Sequence, residues 1–402
     1  MTTTTNIAEA LTTITGPEHV RPGDTIEVSP ANTQQISEIL RYANENRLTV
    51  SPIGGGTKQT WGNPTKTNIH IDLTRLNQVV EHPWQDLTCT VQAGCTWTTL
   101  QQTLKKHGQF VALDPLWPDH ATVGGILATN DSGSLRHRYG SLRDLVIGVT
   151  IVLADGTIAR SGGKVVKNVA GYDLCKLLTG SLGTLAIITE ATFRLHPLPQ
   201  HTQTFTVSSP QAAQLAPLMA DIRASHLLTQ ALQLRGDANR FHLDIQLNAH
   251  PEAKQADILE NMTEAAGLKL ESATDEVWTA RELLCSDPAR FLTKITVLPT
   301  DVPNLASVVV GIGGEVVAQS VGVIYASYPR TDVDFSLFGE IYAFPHGGSQ
   351  KLLNIPDGPI DESLFPWVSI RTPLERAIKH QFDPNQTLNP EPPPPENPTT
   401  LT

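Results

Sequence analysis

Hydrophobic positions in the first two hundred residues switch between two periods. In "TQQISEILRYANENR", residues 33 to 47, Ile36, Ile39, Leu40 and Ala43 share one face of a 3.6-residue repeat, which predicts a helix. The "LTVSP" that follows alternates at Leu48 and Val50, as a strand does. Period two returns in "NIHIDL", through Ile69, Ile71 and Leu73, and in "LTCTVQAG", through Leu87, Cys89, Val91 and Ala93. "TWTTLQQTLKKHG" predicts a helix with Leu100 and Leu104 inward and Gly108 as its stop. "VTIVLADGTIAR" predicts a hairpin closed by a two-residue Asp155-Gly156 turn.

The alternation ends at "RLHPLPQ", where Pro197 and Pro199 place a domain boundary close to His201. From Gln203 to Ile370, hairpin-like stretches mix with at least three helices, such as "EAKQADILENMTEAAG", which predicts an α+β domain around an antiparallel sheet. "PLERAIKHQ" predicts a last helix with Pro373 in its first turn, leading into "FDPNQTLNP". "EPPPPENPTTLT" is too rich in proline to fold. The division expected is therefore 17–200, 203–370, a returning segment 373–390 and a disordered tail 391–402. The apolar run 308–326 is interrupted by Glu315, Gln319 and Ser320, and its valines and glycines favour buried strands and turns over a membrane span.

Composition narrows the function classes. With 402 residues the chain has material for two or three domains. A net charge of −11 argues against a surface that tracks nucleic-acid phosphates. Cys89, Cys95, Cys175 and Cys285 show no metal-binding spacing and suit a reducing compartment. The first Lys or Arg is Arg21, so neither a secretory signal nor a transit peptide is expected, and the cytoplasm is the expected location.

Three glycine-dense stretches punctuate the first domain: "SPIGGGTKQTWG" from Ser51, "DPLWPDHATVGGILATNDSG" from Asp114, and "KVVKNVAGYDLCKLLTGSLGTLAIITE" from Lys164. Glycine lets backbone N–H groups approach a phosphate, and the competing reading of an isolated run is a tight turn. A dinucleotide-binding G-x-G-x-x-G fails at Gln59, and a P-loop fails because Lys58 follows Thr57. Three separated stretches suit a large cofactor threaded through one domain better than a mononucleotide.

In this order, "GGGTKQTWG", "ATVGGILATNDSG", "RYGSLRDLVIGVTIVLADG", "KNVAGYDLCKLLTGSLGTLAIITEATFRL" and "FDPNQTLNP" resemble the FAD-binding domain of the vanillyl-alcohol oxidase type of flavoprotein. Within that type they are most similar to the FAD-binding subunits of bacterial glycolate oxidases. The resemblance runs from Val20 to Leu198 and again from Pro373 to Pro390. It implies an α+β fold in which two subdomains clasp FAD and an α+β cap, or substrate, domain with an antiparallel sheet covers the flavin ring. It also implies that Ile53, Gly54, Gly55, Gly56 and Thr57 form the pyrophosphate loop, closed by Trp61 and Gly62. By the same resemblance Pro118, Thr122, Val123, Gly124, Gly125, Thr129, Asn130, Ser132 and Gly133 line the middle of the cofactor. Gly183, Thr184, Ala186 and Ile188 flank its other side, with Asn389 near the flavin. Some relatives tether FAD through a His just after the glycines; Thr57 stands there, so non-covalent FAD is expected.

Other residues leave alternatives open. Lys58 either neutralises a phosphate or is a solvated loop lysine, and Arg136, His137 and Arg138 either receive a carboxylate near the flavin or make surface pairs. Hydroxy-acid dehydrogenases of this superfamily carry H-x-D-G-N-x-H and E-H-G; this sequence has neither, and His242 and His346 are isolated. The catalytic residues therefore stay unknown, and no metal is expected. The leading expectation is an FAD-binding subunit of a glycolate oxidase or dehydrogenase complex, beside a related flavoprotein and an iron–sulfur subunit. Such a complex would act on a small 2-hydroxy acid by electron transfer and would leave peripheral contact with a membrane open. A self-sufficient FAD-dependent alcohol or hydroxy-acid oxidoreductase and a non-catalytic FAD-fold scaffold are the alternatives.

Overall fold

The helix Thr33–Glu45 buries Ile36, Ile39, Leu40 and Ala43, the four positions its periodicity picks out, and Asn32 caps it by accepting from the Gln35 N–H. It connects β2 (Ile26–Val28) to β3 (Val50–Ile53), and β4 (Ile69–Asp72) lies between them, parallel to both. With β1 (Val20–Arg21) these make a sheet of order β1-β2-β4-β3. The computed structural model describes residues 4–62, 66–163, 173–248, 254–329, 349–354 and 372–390. The expected Pro-rich tail, Gly171 and His346 lie outside those residues.

A second, antiparallel sheet follows: β5 (Val79–Glu81), β6 (Thr88–Gln92), β8 (Val146–Leu153), β9 (Ile158–Gly162) and β10 (Ala186–Arg194), in the order β5-β6-β10-β8-β9. The short strand β7 (Gln109–Phe110) pairs instead with β11 (His196–Pro197). Being covered on both faces, the central strands are apolar on both. Val152, Ala154 and Ile187 join the core around Ile71 and Leu40, while Val149, Ile151 and Phe193 pack with Trp97, Leu100 and Ile126. The β8–β9 hairpin forms with a three-residue loop, not the two-residue turn expected. The Leu153 N–H donates to the Thr157 carbonyl at 2.9 Å, and within the loop only Gly156, at φ 86°, has a positive φ. The Asp155 carboxylate accepts from the Thr157 N–H at 2.8 Å, closing the turn locally without a second left-handed residue.

From β12 (Thr202–Ser209) onward the chain builds an eight-stranded sheet, antiparallel throughout. Its other strands are β13 (Thr229–Gly236), β14 (Phe241–Asn248), β15 (Leu270–Ala273), β16 (Phe291–Thr296), β17 (Glu315–Gln319), β18 (Val323–Tyr328) and β19 (Ser349–Asn354). Helices Ala212–Ala224, Gln255–Ala265 and Val302–Gly311 bury their apolar sides on one face of this sheet. The opposite face meets the first half of the chain, where Leu292, Val323, Tyr325 and Leu353 pack with Trp61 and Leu116. The run 308–326 becomes the end of a helix plus β17 and β18, as its interrupting polar residues foretold. Among the described residues no helix is long and apolar enough to cross a membrane.

The helix Pro373–Phe382, with a Thr372/Glu375 capping box, carries the chain back. Leu388 forms a parallel bridge with Val50, and the Asn389 N–H donates to the Val50 carbonyl at 2.9 Å, so this segment lies alongside β3. Buried Lys379 fastens it by donating to the carbonyls of Thr184, at 2.8 Å, and Leu388, at 2.7 Å, and to the Asp383 carboxylate.

Candidate functional site

One cavity of about 1010 Å³ lies where the glycine loop, the second sheet, the C-terminal segment and the large sheet meet. Its wall holds Ile53 to Thr57, Trp61, Gly62, Thr122, Gly124, Gly125, Thr129 and Asn130, then Gly183, Thr184, Ala186, Ile188 and Asn389. Residues named from four separate stretches of sequence thus converge on one space. Four others do not reach it. Val123 is buried in the core beneath the second sheet, and the Pro118 carbonyl accepts from the Thr98 N–H. The Ser132 carbonyl faces the large sheet, and the Gly133 N–H donates to Asp114 at 3.0 Å. They sit in the right loops but point the other way.

The three glycines divide their work. A Cβ on Gly54 would stand 2.1 Å from the Thr122 hydroxyl, and one on Gly55 would stand 1.8 Å from the His120 carbonyl oxygen. Both are needed for close packing against the 120–122 segment. Gly56 has φ 71° and nothing within 4 Å of its Cβ position, so its backbone opens directly onto the cavity. The run is therefore packed tightly at Gly54 and Gly55 and left open to the cavity at Gly56.

Lys58 also lines the cavity and is not the solvated loop lysine that one reading expected. It is buried, with its ammonium 3.2 Å from Asp131 Oδ2 and 5.7 and 5.3 Å from the ring centres of Trp61 and Trp117. Asp131 also receives Arg281 Nη1 at 2.8 Å and the Leu116 N–H at 2.8 Å. Arg281 donates further to the Ser132 carbonyl at 2.8 Å and to the Asp114 carbonyl. Burial alone would raise the Asp131 carboxyl, yet Arg281, Lys58 and Lys294 together hold it below the ordinary carboxylate value of 3.8. Lys294, on β16, donates to the Asn130 carbonyl at 2.9 Å; burial pushes its ammonium down to about 8 against the pull of Asp131. Lys351, on β19, lines the cavity with Lys294, and neither these lysines nor the buried Asp131–Arg281 pair were legible in the sequence, because what brings them together is remote in it.

Arg136, His137 and Arg138 form a short helix beside β13 and do not line the cavity. His137 hydrogen-bonds Ser320 at 2.9 Å, and burial, then Arg223 and Arg138, push it down to about 4, so it is neutral at pH 7. His242 is a half-buried partner of Ser208, at 2.8 Å. No group of three or more His, Cys, Asp or Glu able to hold a metal exists among the described residues.

Two further features suit a ligand. The Asn130 Oδ1 and Ser181 Oγ atoms are buried, belong to residues of the cavity wall, and have no hydrogen-bond partner among the described residues. The volume also stands at the top of the roughly 300–1,000 Å³ range of cofactor and ligand sites. Residues 25–162 match the FAD binding domain family. The chain carries an FAD binding domain. The open backbone at Gly56, the two unpaired polar atoms and the size of the cavity fit that cofactor.

Relatives of this FAD domain include a Bacillus subtilis protein, "Glycolate oxidase subunit GlcD", 37% identical over 207 residues, 51% of this chain and 44% of that one. "D-lactate dehydrogenase [cytochrome] 1, mitochondrial" of Saccharomyces cerevisiae is 35% identical over 238 residues, 58% of this chain and 40% of that one. "D-2-hydroxyglutarate dehydrogenase, mitochondrial" of Bos taurus is 34% identical over 206 residues, 51% and 38% of the two chains. The chain spans less than half the length of these curated relatives. A solved alkyldihydroxyacetonephosphate synthase matches the fold with a TM-score of 0.66 at 19% identity, over 91% of this chain and 77% of that one.

The buried ion cluster generates a test. Asp131→Asn leaves Lys58 and Arg281 buried without their shared anion and should cost about 3–5 kcal/mol of stability. Thermal or urea unfolding followed by circular dichroism measures it. Because the folded carboxyl is held below 3.8, its stabilisation is present above that pH and is lost as pH falls through the depressed value. The variant should lack this acid-sensitive component.

Proposed function

We propose that the chain is the FAD-binding subunit of a glycolate oxidase type complex, in which a small 2-hydroxy acid is oxidised beside a related flavoprotein subunit and an iron–sulfur subunit. In this reading residues 17–200 and 373–390 hold FAD non-covalently, and residues 203–370 cap it. The observation that carries the proposal is the single cavity joining Gly56, Gly125, Asn130, Ser181 and Asn389, with its unpaired polar atoms. The relatives, whose names describe glycolate and D-2-hydroxy-acid oxidation, support the substrate class.

FAD, when bound, supplies the two-electron acceptor for oxidation of an alcohol carbon. The backbone at Gly56 would face the pyrophosphate, where side chains would intervene. Asn130 and Ser181 would complete their hydrogen bonding on the cofactor. Trp61, Leu116 and Leu353 pack between the two halves of the chain, where they exclude water. Thr57 has no ring nitrogen with which to form a covalent link. The sequence lacks the His motif that removes a hydroxyl proton in hydroxy-acid dehydrogenases of this superfamily. This favours a subunit over a self-sufficient enzyme.

Acid precipitation of the purified chain should leave free FAD in the supernatant; flavin retained in the pellet would contradict the non-covalent site. Gly125→Val tests the wall of the cavity. A Cβ there meets only the Thr122 hydroxyl, at 3.3 Å, so the fold should persist while the extra methyls enter the ligand space. FAD per chain should fall at least about tenfold, the effect of losing one charge-assisted hydrogen bond.

Mixed anaerobically with glycolate or D-lactate, the chain alone should keep its flavin oxidised, and the assembled complex should bleach it. Rapid bleaching of the chain alone would replace the subunit reading with that of a self-sufficient oxidoreductase.

A further inference from the structure

Three arginines gather where the two halves of the chain meet, away from the cavity. Arg138 belongs to the short helix Arg136–Tyr139, Arg194 is the last residue of β10, and Arg223 lies in the last turn of the helix Ala212–Ala224. Two imidazoles fix their order. Burial first, then Arg223 and Arg138, push His137 down to about 4, while burial, then Arg194 and Arg138, push His196 down. Arg138 is common to both, so the cations form a row of Arg223, Arg138 and Arg194, with His137 and His196 between them. The contacts agree with that order. Arg194 Nη2 donates to His196 Nε2 at 3.3 Å, and the His196 ring centre lies 4.8 Å from that of Tyr139, the residue after Arg138.

Nothing in the surroundings cancels this charge. Among the described residues none of the three arginines makes an ion pair, and the Arg194 Nε atom is buried without a hydrogen-bond partner. No carboxylate among them pulls either imidazole the other way. Neighbouring cations are treated differently: Arg136 has Asp144 close by, and Arg143 donates to the Lys176 carbonyl at 3.3 and 3.2 Å. Gathered like charges repel. A chain with 40 acidic against 29 basic side chains has anions to spare for them, yet places none here.

The shape of the row selects its ligand. Arg138 and Arg223 are exposed, whereas Arg194 and His196 are half-buried in the seam. A flat anionic membrane surface reaches only the first two, and a single small anion does not span the row. An extended peptide lays successive carboxylates along it, and a guanidinium grips a carboxylate with two parallel N–H donors. Both halves contribute to the row. They are joined beside it by Tyr139 donating to Gln230 at 2.6 Å and by His137 bonded to Ser320 at 2.9 Å.

We propose that Arg223, Arg138 and Arg194 form a docking row for an acidic segment of a partner protein, seated across the seam between the two halves of the chain. The row needs no FAD, so the inference goes beyond the FAD-subunit reading and does not rest on it. It exists only when the halves are folded against each other, which makes the partner a reader of the assembled chain.

The test is fluorescence anisotropy of a labelled Glu-rich peptide titrated with the full chain, beside the same peptide with Gln in place of Glu. A chain of net charge −11 repels acidic peptides as a whole, so binding reports a local site. The Glu peptide should bind saturably, with and without FAD, and more weakly as chloride is raised. The Gln peptide should not bind. Arg138→Gln and Arg223→Gln, both at exposed positions, should each weaken the Glu peptide about tenfold, as expected when one charge-assisted hydrogen bond is lost. Arg138→Lys should keep most of the affinity. Arg21→Gln is the control, removing the same charge from an exposed arginine that pairs with Glu27 elsewhere. Equal weakening by Arg21→Gln would reduce the effect to net charge and overturn the row. So would a wild-type chain that ignores the peptide, or unchanged affinity when Arg138→Gln and Arg223→Gln are combined. Tighter capture by vesicles of phosphatidylcholine and phosphatidylglycerol than by the peptide would assign the row to a membrane instead.

Discussion

The fully buried Asp131 carboxylate is the point on which the two halves of this protein agree. It receives Lys58 from the glycine loop and Arg281 from the half of the chain that carries the large sheet, and its neighbour Ser132 accepts from Arg281 and from Gln319 through its carbonyl. Each cation is taken out of water, a cost of several kcal/mol per ion that only good geometry offsets. The geometry supplies it, with contacts of 2.8 and 3.2 Å and aromatic rings around Lys58. Moving the large-sheet half away would strip Arg281 from Asp131, so the two halves are held by electrostatics that operate only while they are in contact. The contact is also directional, whereas the apolar packing of Trp61 and Leu116 on Leu292 and Tyr325 tolerates sliding.

How much of this was legible in the sequence depends on the range of the interaction. The helix Thr33–Glu45, the strands around Ile69 and Val91, and the capped helix at Pro373 were readable because their causes lie within a few residues. The cavity stretches at 53–57, 122–130 and 183–188 were readable because an open backbone leaves a glycine signature. Direction within a loop was not: Asn130 and Ser132 flank Asp131, and only Asn130 faces the cavity. Asp131 itself went unnoticed because its partner Arg281 is 150 positions away and a single aspartate has no spacing to betray it. Lys294 and Lys351 become neighbours only through the register of β16 and β19, which no local pattern fixes.

The arginine-rich segment 136–138 illustrates the opposite error, a conspicuous composition that does not reach the cavity. Its helix is four residues long and packs on β13, with Tyr139 donating to Gln230 at 2.6 Å and His137 bonded to Ser320. These are contacts between the halves of the chain, made by polar groups that burial obliges to find partners.

The bridge between Val50 and Leu388 has a consequence for the order of events on the ribosome. β3 leads directly into the glycine loop, yet its outer neighbour is supplied more than three hundred residues later. A nascent chain that has released its N-terminal third carries an open strand edge beside an incomplete cavity, and an open edge is a template for wrong pairing. The gap closes only when residues 387 to 389 emerge, pair with Val50 and bring Asn389 against Leu182. This part of the cavity wall is thereby completed late in synthesis, after the helix Pro373–Phe382 has emerged.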